Sequence, residues 1–335
     1  MTDSFDLTEL VDLAAERLGG SVLLANDEFF APKEALLKAG APEWREGVYT
    51  ERGKWMDGWE TRRRRTPGHD WCIVRLGVPG IIRGVVVDTS FFTGNFPESC
   101  SIEGASIDGL PDPATLAADG SVRWTPLLER SPLAGHSRNV FPVSHDARVT
   151  HLRLSIYPDG GVARLRVHGE VKPGADVLRP GREIDLAAIE HGGWVVVCSD
   201  MFYGHRQNLL MPGRSTHMGD GWETKRRRGP GHDWTIVRLA ERSTIARVEL
   251  DTDHYRGNAP GSCSLDCCDA PLATVADLSS GVAWRELQAA SPLQPHTRHA
   301  WSCVSTTPAT HVRLNIFPDG GVARLRVFGA VAVRP

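Results

Sequence analysis

Two carboxylates, four arginines and a histidine–aspartate pair crowd into the segment DGWETRRRRTPGHDW. Asp57 and Glu60 precede Arg62, Arg63, Arg64 and Arg65, and His69 and Asp70 follow. Carboxylates and imidazole beside cations are what proton transfer needs, because neighbouring charge and partial burial set the pKa of an acid or base. Arginine also presents a planar fork of donors that matches a carboxylate, so the run is a candidate anchor for a small anion. In extended backbone alternate side chains face opposite ways, with Arg63 and Arg65 on one side and Arg62 and Arg64 on the other. One pair could face a ligand while the other neutralises acids. Plainer readings stand beside these: a charged strand edge that resists aggregation, acids that only neutralise arginines, and a turn at Asp57-Gly58.

The constellation is written twice. Residues 57–76 and 220–239 are identical at 17 of 20 positions, at an offset of 163. Glu60, His69 and Asp70 therefore recur as Glu223, His232 and Asp233, and Arg63 and Arg64 as Arg226 and Arg227. GNFPESCSIE from Gly94 matches GNAPGSCSLD from Gly257, and SPLAGHSR from Ser131 matches SPLQPHTR from Ser291. These add Asn95 with Asn258 and Arg138 with Arg298 as loop donors to a substrate, although Gly-Asn serves a turn equally well. YPDGGVARLRV at Tyr157 recurs at Phe317, DLAA at Asp12 recurs at Asp185, and NDEFF at Asn26 aligns with SDMFY at Ser199. Self-similarity on this scale predicts two copies of one domain. The stretch KPGADVLRPG, rich in proline and glycine, falls between them. The expected layout is a first repeat over 1–172, a linker over 173–183 and a second repeat over 184–335. The copies differ where Phe91, Phe92 and Thr93 stand opposite His254, Tyr255 and Arg256, and where Lys33 stands opposite Arg206. One site is then degenerate, or a single site uses both copies.

The elements that must position these groups are strands. Leu152, Leu154 and Ile156 alternate with His151, Arg153 and Ser155, and Ala163, Leu165 and Val167 alternate with Arg164 and Arg166. Period two of this kind predicts a hairpin with one wet face, closed by the turn residues PDGG. Further strands are expected at SVLLA, WCIVRL, IIRGVVVD and CSIEG, and a helix over LTELVDLAAERLG. Roughly eight short strands per copy fit an all-β fold, two tandem jelly-roll β-sandwich domains, with function in the loops at one end. Trp59 and Trp71, with Trp222 and Trp234, are expected in the core.

Three histidines recur: His69 with His232, His136 with His296, and His151 with His311. They could hold zinc or manganese, but HExxH and HxH spacings are missing and His151 alternates outward, so the expectation is no metal and no other cofactor. No GxSxG elbow or phosphate-cradling glycine loop supports acyl-serine chemistry or nucleotide hydrolysis. The net charge of -3 offers no general attraction to nucleic acid or an anionic membrane. No apolar run approaches a membrane span, and acids at the amino terminus argue against a signal peptide, so a cytoplasmic protein is expected. Seven cysteines without paired CxxC spacing read as reduced, mostly buried thiols.

Taken together, DGWETRRRR with PGHDW, GNFPESCSIEG, SPL with HSR, and PDGGVARLRVHG resemble the allantoicase family over nearly the whole length, duplication included. The resemblance implies domains similar to galactose-binding modules and a cytosolic, homo-oligomeric hydrolase acting on carbon–nitrogen bonds in linear amidines. It implies conversion of allantoate to ureidoglycolate and urea in purine degradation. Allantoate carries a carboxylate and two ureido groups on one carbon, which arginines, asparagines and acids can hold. On that reading Arg63 or Arg64, or Arg226 or Arg227, forks the carboxylate. A carboxylic acid or histidine protonates the departing urea, and Glu60 or Asp70, or Glu223 or Asp233, activates water. The alternative from another class is a non-catalytic, discoidin-like carbohydrate-binding module, since the closing RLRVHG and RLRVFG strands suit that superfamily too.

Overall fold

The computed structural model describes residues 7–332 apart from 119, 121 and 304–306. The chain divides into two compact units, Met1–Lys172 and Pro173–Pro335. In the first, the strands are β1 (Val11–Asp12), β2 (Ser21–Ala25), β3 (Tyr49–Thr50), β4 (Gly53–Lys54), β5 (Trp59–Glu60), β6 (Asp70–Asp88), β7 (Ser99–Ala105), β8 (Thr125–Pro132), β9 (Arg138–Pro142), β10 (Val149–Tyr157), β11 (Gly161–Val162) and β12 (Arg164–Val171). A short helix, α1, spans Pro113–Ala117.

β6 organises the sandwich. Its first half pairs with β2 and β10, and β7 and β8 continue that sheet outward. Its second half pairs with β12 and β9, and β1 extends that sheet beyond β12. One strand of 19 residues thus belongs to both layers, where the sequence suggested two. It turns between layers at Leu76-Gly77-Val78-Pro79-Gly80, where a Cβ on Gly80 would lie 2.4 Å from the Glu170 carbonyl oxygen. Glycine fits there because the neighbouring backbone leaves no room for a side chain. The inward residues Leu152, Leu154, Ile156, Leu165 and Val167 are fully buried between the layers, each contributing roughly 1.5–3 kcal/mol.

The second unit repeats this with β13 (Glu183–Asp185), β14 (Trp194–Cys198), β15 (Trp222–Glu223), β16 (Asp233–Asp251), β17 (Ser262–Cys268), β18 (Arg285–Pro292), β19 (Arg298–Ser302), β20 (Ala309–Phe317), β21 (Gly321–Val322) and β22 (Arg324–Val331), and with helix α2 (Val275–Ser280). The strand order is the same. The hairpin β3–β4 has no counterpart: 28 residues separate Ala31 from Glu60, and 18 separate Gly204 from Glu223.

Three local expectations are corrected. The segment LTELVDLAAERLG is not a helix but two 3-10 turns around β1. The Asp12 carboxylate accepts from the Ala14 and Val167 amides and ties the segment to β12 instead. β10 and β12 do not form a hairpin: they lie in different layers, and the PDGG turn, with cis Tyr157-Pro158, carries the chain across the end of the sandwich. The outward face is not wet throughout, since His151 is 2% exposed with its ring beside the Thr150 hydroxyl. Trp59 and Trp222 lie in the core, and Trp71 and Trp234 are half-buried on the sheet face. All seven cysteines are unpaired, six of them buried.

Candidate active site

Both ends of β6 lie at the same end of the first sandwich, because Asp70 pairs with Ile156 and Asp88 with Arg164 across the single turn 157–163. The loops holding the candidate residues gather there. Thr61 and Asp70 donate their backbone N–H groups to the carbonyls of Gly160 and Pro158, so the arginine-rich loop is laced onto the PDGG turn. The Arg64 amide adds a 2.8 Å bond to the Asp159 carboxylate.

The arginines divide by parity. Arg62 pairs with Asp27, and Arg64 donates through Nη1 to Asp70 Oδ1 at 2.6 Å. Asn26 donates to the same oxygen at 2.9 Å and accepts from the Trp71 amide. Arg63 and Arg65 are exposed and make no side-chain hydrogen bond or ion pair among the described residues. Asp70 is 1% exposed, so its carboxylate serves as a fixed counter-charge that aims Arg64. Asp57 is likewise structural: Arg164, Lys38 and the Glu43 amide outweigh its burial and hold it down to about 2.

Glu60 has the environment of a proton carrier. Its backbone is pinned on both sides, by Gly161 of β11 and by Ala31. Its half-buried carboxylate accepts one bond, 2.7 Å from Asn95 Nδ2, while the Asn95 carbonyl accepts from the Gly161 amide. Burial pushes this carboxylate above its usual range. His69 packs against Tyr157 with the rings tilted and their centroids 4.6 Å apart, and burial together with Arg64 and Arg153 lowers its pKa. Arg138 opens β9, opposite Asp88 at the far side of the same end, and is exposed.

The second repeat rebuilds most of this. Asn258 donates to Glu223 at 2.6 Å, Arg227 pairs with Asp233, the Arg227 amide donates to Asp319 at 2.8 Å, and Arg226, like Arg63, is exposed with no side-chain hydrogen bond or ion pair among the described residues. His232 packs against Phe317 with the rings tilted. Arg298 differs from Arg138 in being tied to Glu249, which has valine, Val86, as its counterpart.

Sequence reasoning passed over Asn26, Asp27 and Asp159. The repeated NDEFF/SDMFY and PDGG motifs held the signal, but PDGG was read only as a turn. The recurring histidines do not converge: the His136 ring accepts from the Phe91 amide, and His151 is buried in β10. Among the described residues no three His, Cys, Asp or Glu side chains are grouped to hold a metal ion, and no helix is long and apolar enough to cross a membrane.

The chain is similar to known proteins along nearly its whole length. The family model described as the allantoicase repeat matches residues 11–172 and 184–332. A probable allantoicase of Pseudomonas aeruginosa is 48% identical over 96% of this chain and 96% of its own length. The allantoicase of Dictyostelium discoideum is 46% identical over 96% of this chain and 87% of its own. The crystal structure of allantoicase from Saccharomyces cerevisiae superposes with a TM-score of 0.80 at 37% identity, covering 95% of this chain and 92% of that one. With both repeats matched and the similarity running nearly end to end, the chain belongs to the allantoicase family.

Proposed function

We propose that this chain hydrolyses allantoate to ureidoglycolate and urea with the groups at the loop end of its repeats. The observation that carries the chemistry is the Glu60–Asn95 pair, duplicated as Glu223–Asn258, at the foot of an arginine-bearing loop. Arg63, exposed and without an acid partner, forks the substrate carboxylate, as does Arg226 in the second copy. Arg64 and Arg227, held by Asp70 and Asp233, supply fixed positive charge beside it.

Glu60, raised by burial, keeps a proton closer to neutral pH than an ordinary carboxylate. It delivers that proton to the nitrogen of the departing ureido group as the bond to the central carbon breaks. The remaining ureido nitrogen pushes its lone pair into the carbon, and urea leaves. Water then adds to that carbon and returns a proton to the Glu60 carboxylate, which restores the acid. One water is consumed and one urea released. Asn95 orients the carboxylate through its amide. His69, lowered below its ordinary value, acts as a neutral imidazole at the edge of the site, with His232 in the matching place.

Urea and glyoxylate released from allantoate by the purified chain, measured colorimetrically, test the activity; no release would end this reading. The same proposal needs no metal, so turnover after dialysis against a chelator stays within about twofold. A homo-oligomer in the cytoplasm is the accompanying expectation, and sedimentation measures its size.

A further inference from the structure

Beside the loop end, on the outer face of the sheet formed by β6, β10, β7 and β8, the first repeat has a hollow of about 400 Å³ under α1. His69, Ser155, Glu103 and Arg153 line it with Trp71 and Tyr157. Register puts these groups together: Arg153 lies opposite Glu103, and Ser155 lies between Trp71 and Ser101. Arg153 bonds Glu103 through Oε2 alone, at 2.8 Å from Nε, and its guanidinium lies over Trp124. Among the described residues, Glu103 Oε1 and both His69 ring nitrogens have no hydrogen-bond partner, and both residues line the hollow.

The second repeat shows what such a hollow accepts. Asn315 stands where Ser155 stands in the first copy, Asp266 replaces Glu103, and Arg313 and His232 are retained. The Asn315 side chain is 5% exposed and fills the space, leaving about 240 Å³. Its Nδ2 donates to the Asp266 carboxylate at 2.9 Å and to Ser264 at 3.1 Å, and its Oδ1 lies 3.2 Å from His232 Nε2. A carboxylate only accepts, so the amide nitrogen must face Asp266, and the oxygen must then accept from His232. The site has been satisfied from within by a primary carboxamide.

We infer that the hollow of the first repeat binds the terminal carbamoyl group, –CO–NH2, of a ureido acid. The ligand oxygen accepts from His69 and its NH2 donates to Glu103, in the place that Asn315 takes in the second copy. The choice of a ureido acid rests on the reading of this chain as acting on allantoate, and the group bound is the ureido arm of the substrate. The first repeat is then open for substrate on its sheet face, and the second is plugged by its own side chain.

The test uses the full chain and three probes titrated by calorimetry: N-carbamoylglycine, N-acetylglycine, in which a methyl replaces the NH2, and urea. The wild-type chain binds N-carbamoylglycine at least about tenfold more tightly than N-acetylglycine, because the methyl leaves Glu103 Oε1 without a donor. Urea binds more weakly still; urea binding as tightly as N-carbamoylglycine would overturn the assignment to substrate. Ser155→Asn plugs the hollow and removes the preference, and Asn315→Ser opens the other hollow and adds a second equivalent of binding. Melting curves establish that each variant is folded; if Ser155→Asn is not, Asn315→Ser decides alone. Equal affinity for the two acylglycines, or no second equivalent in folded Asn315→Ser, overturns the inference. Urea release from allantoate is measured alongside. Release without a carbamoyl preference removes the hollow and leaves the activity; the preference without release keeps the pocket and removes the activity.

Discussion

Replacing Arg164 by methionine removes the guanidinium that holds the DGWE loop from below. Arg164 is 2% exposed; it bonds Asp57 Oδ2 at 2.6 Å and also donates to the carbonyls of Asp57, Ala163 and Gly40. Methionine keeps the unbranched stem but not the guanidinium, and leaves Asp57 with only Lys38 and the Glu43 amide. Breaking a buried pair on one side costs roughly 3–5 kcal/mol. The partners that remain place this case at the lower end, about 3 kcal/mol. Part of that deficit depends on pH. Asp57 lies at about 2 in the folded protein, against about 3.9 in an unfolded chain, so its interactions are worth about 2.6 kcal/mol at neutral pH. Because the folded value is depressed, this stability is present above about pH 4 and drains away as pH falls through 2. At pH 2.5 only about 0.8 kcal/mol of it survives. The variant should therefore melt roughly 6–12 °C lower at pH 7 in the transition of the first repeat. The gap should shrink to about half near pH 2.5, as read by scanning calorimetry. At 25 °C, where the variant remains folded, kcat/KM should fall because Glu60 sits three residues beyond Asp57. A deficit under about 1 kcal/mol at pH 7, or an equal deficit at both pH values, would refute the claim that this pair anchors the loop through charge.

Changing Glu60 to glutamine preserves the acceptor for Asn95 and removes the proton; the double variant Glu60→Gln/Glu223→Gln should lose roughly 10²–10⁴-fold in kcat with normal melting, and the single variants reveal which repeat turns over. In the wild type, the limb of the pH–rate profile set by Glu60 should lie above the ordinary carboxylate range, in keeping with the burial of that group. Arg63→Lys, singly and with Arg226→Lys, should raise KM about tenfold and leave the melting temperature unchanged, because a point charge cannot fork a carboxylate; an unchanged KM in the double variant removes the anchor. Burial pushes Asp185 up to about 6 although it accepts from the Val327 and Ala187 amides. A raised folded value favours the protonated form, so the second repeat is most stable below about pH 4 and loses about 2–3 kcal/mol as pH climbs through 6. Asp185→Asn retains the acceptor and should flatten that slope in melts between pH 4.5 and 7.5; a slope equal to the wild type's would show that another group sets it.

Duplication, strand periodicity and the loop location of the polar groups were legible in the residues alone, because motifs repeated nearly unchanged and alternating apolar positions are local patterns. Arg62 to Arg65 were not distinguishable individually by residue type. Parity separated them into two pairs, but only the arrival of Asp27 and Asp70 from elsewhere in the chain decided that Arg62 and Arg64 are neutralised and Arg63 is free. Periodicity likewise placed Leu152 and Leu154 in the core and put His151 outside, since alternation reports which face is apolar and not what covers the other one. The apparent hairpin failed for a related reason: the sequence marks where a turn occurs, whereas hydrogen-bond partners are settled by which strands the sandwich brings alongside. Ser155 and Asn315 occupy the same strand position in the two repeats. Their meaning emerged only when folding set each between a histidine and a carboxylate, where one side chain reaches both and the other leaves a gap for a ligand.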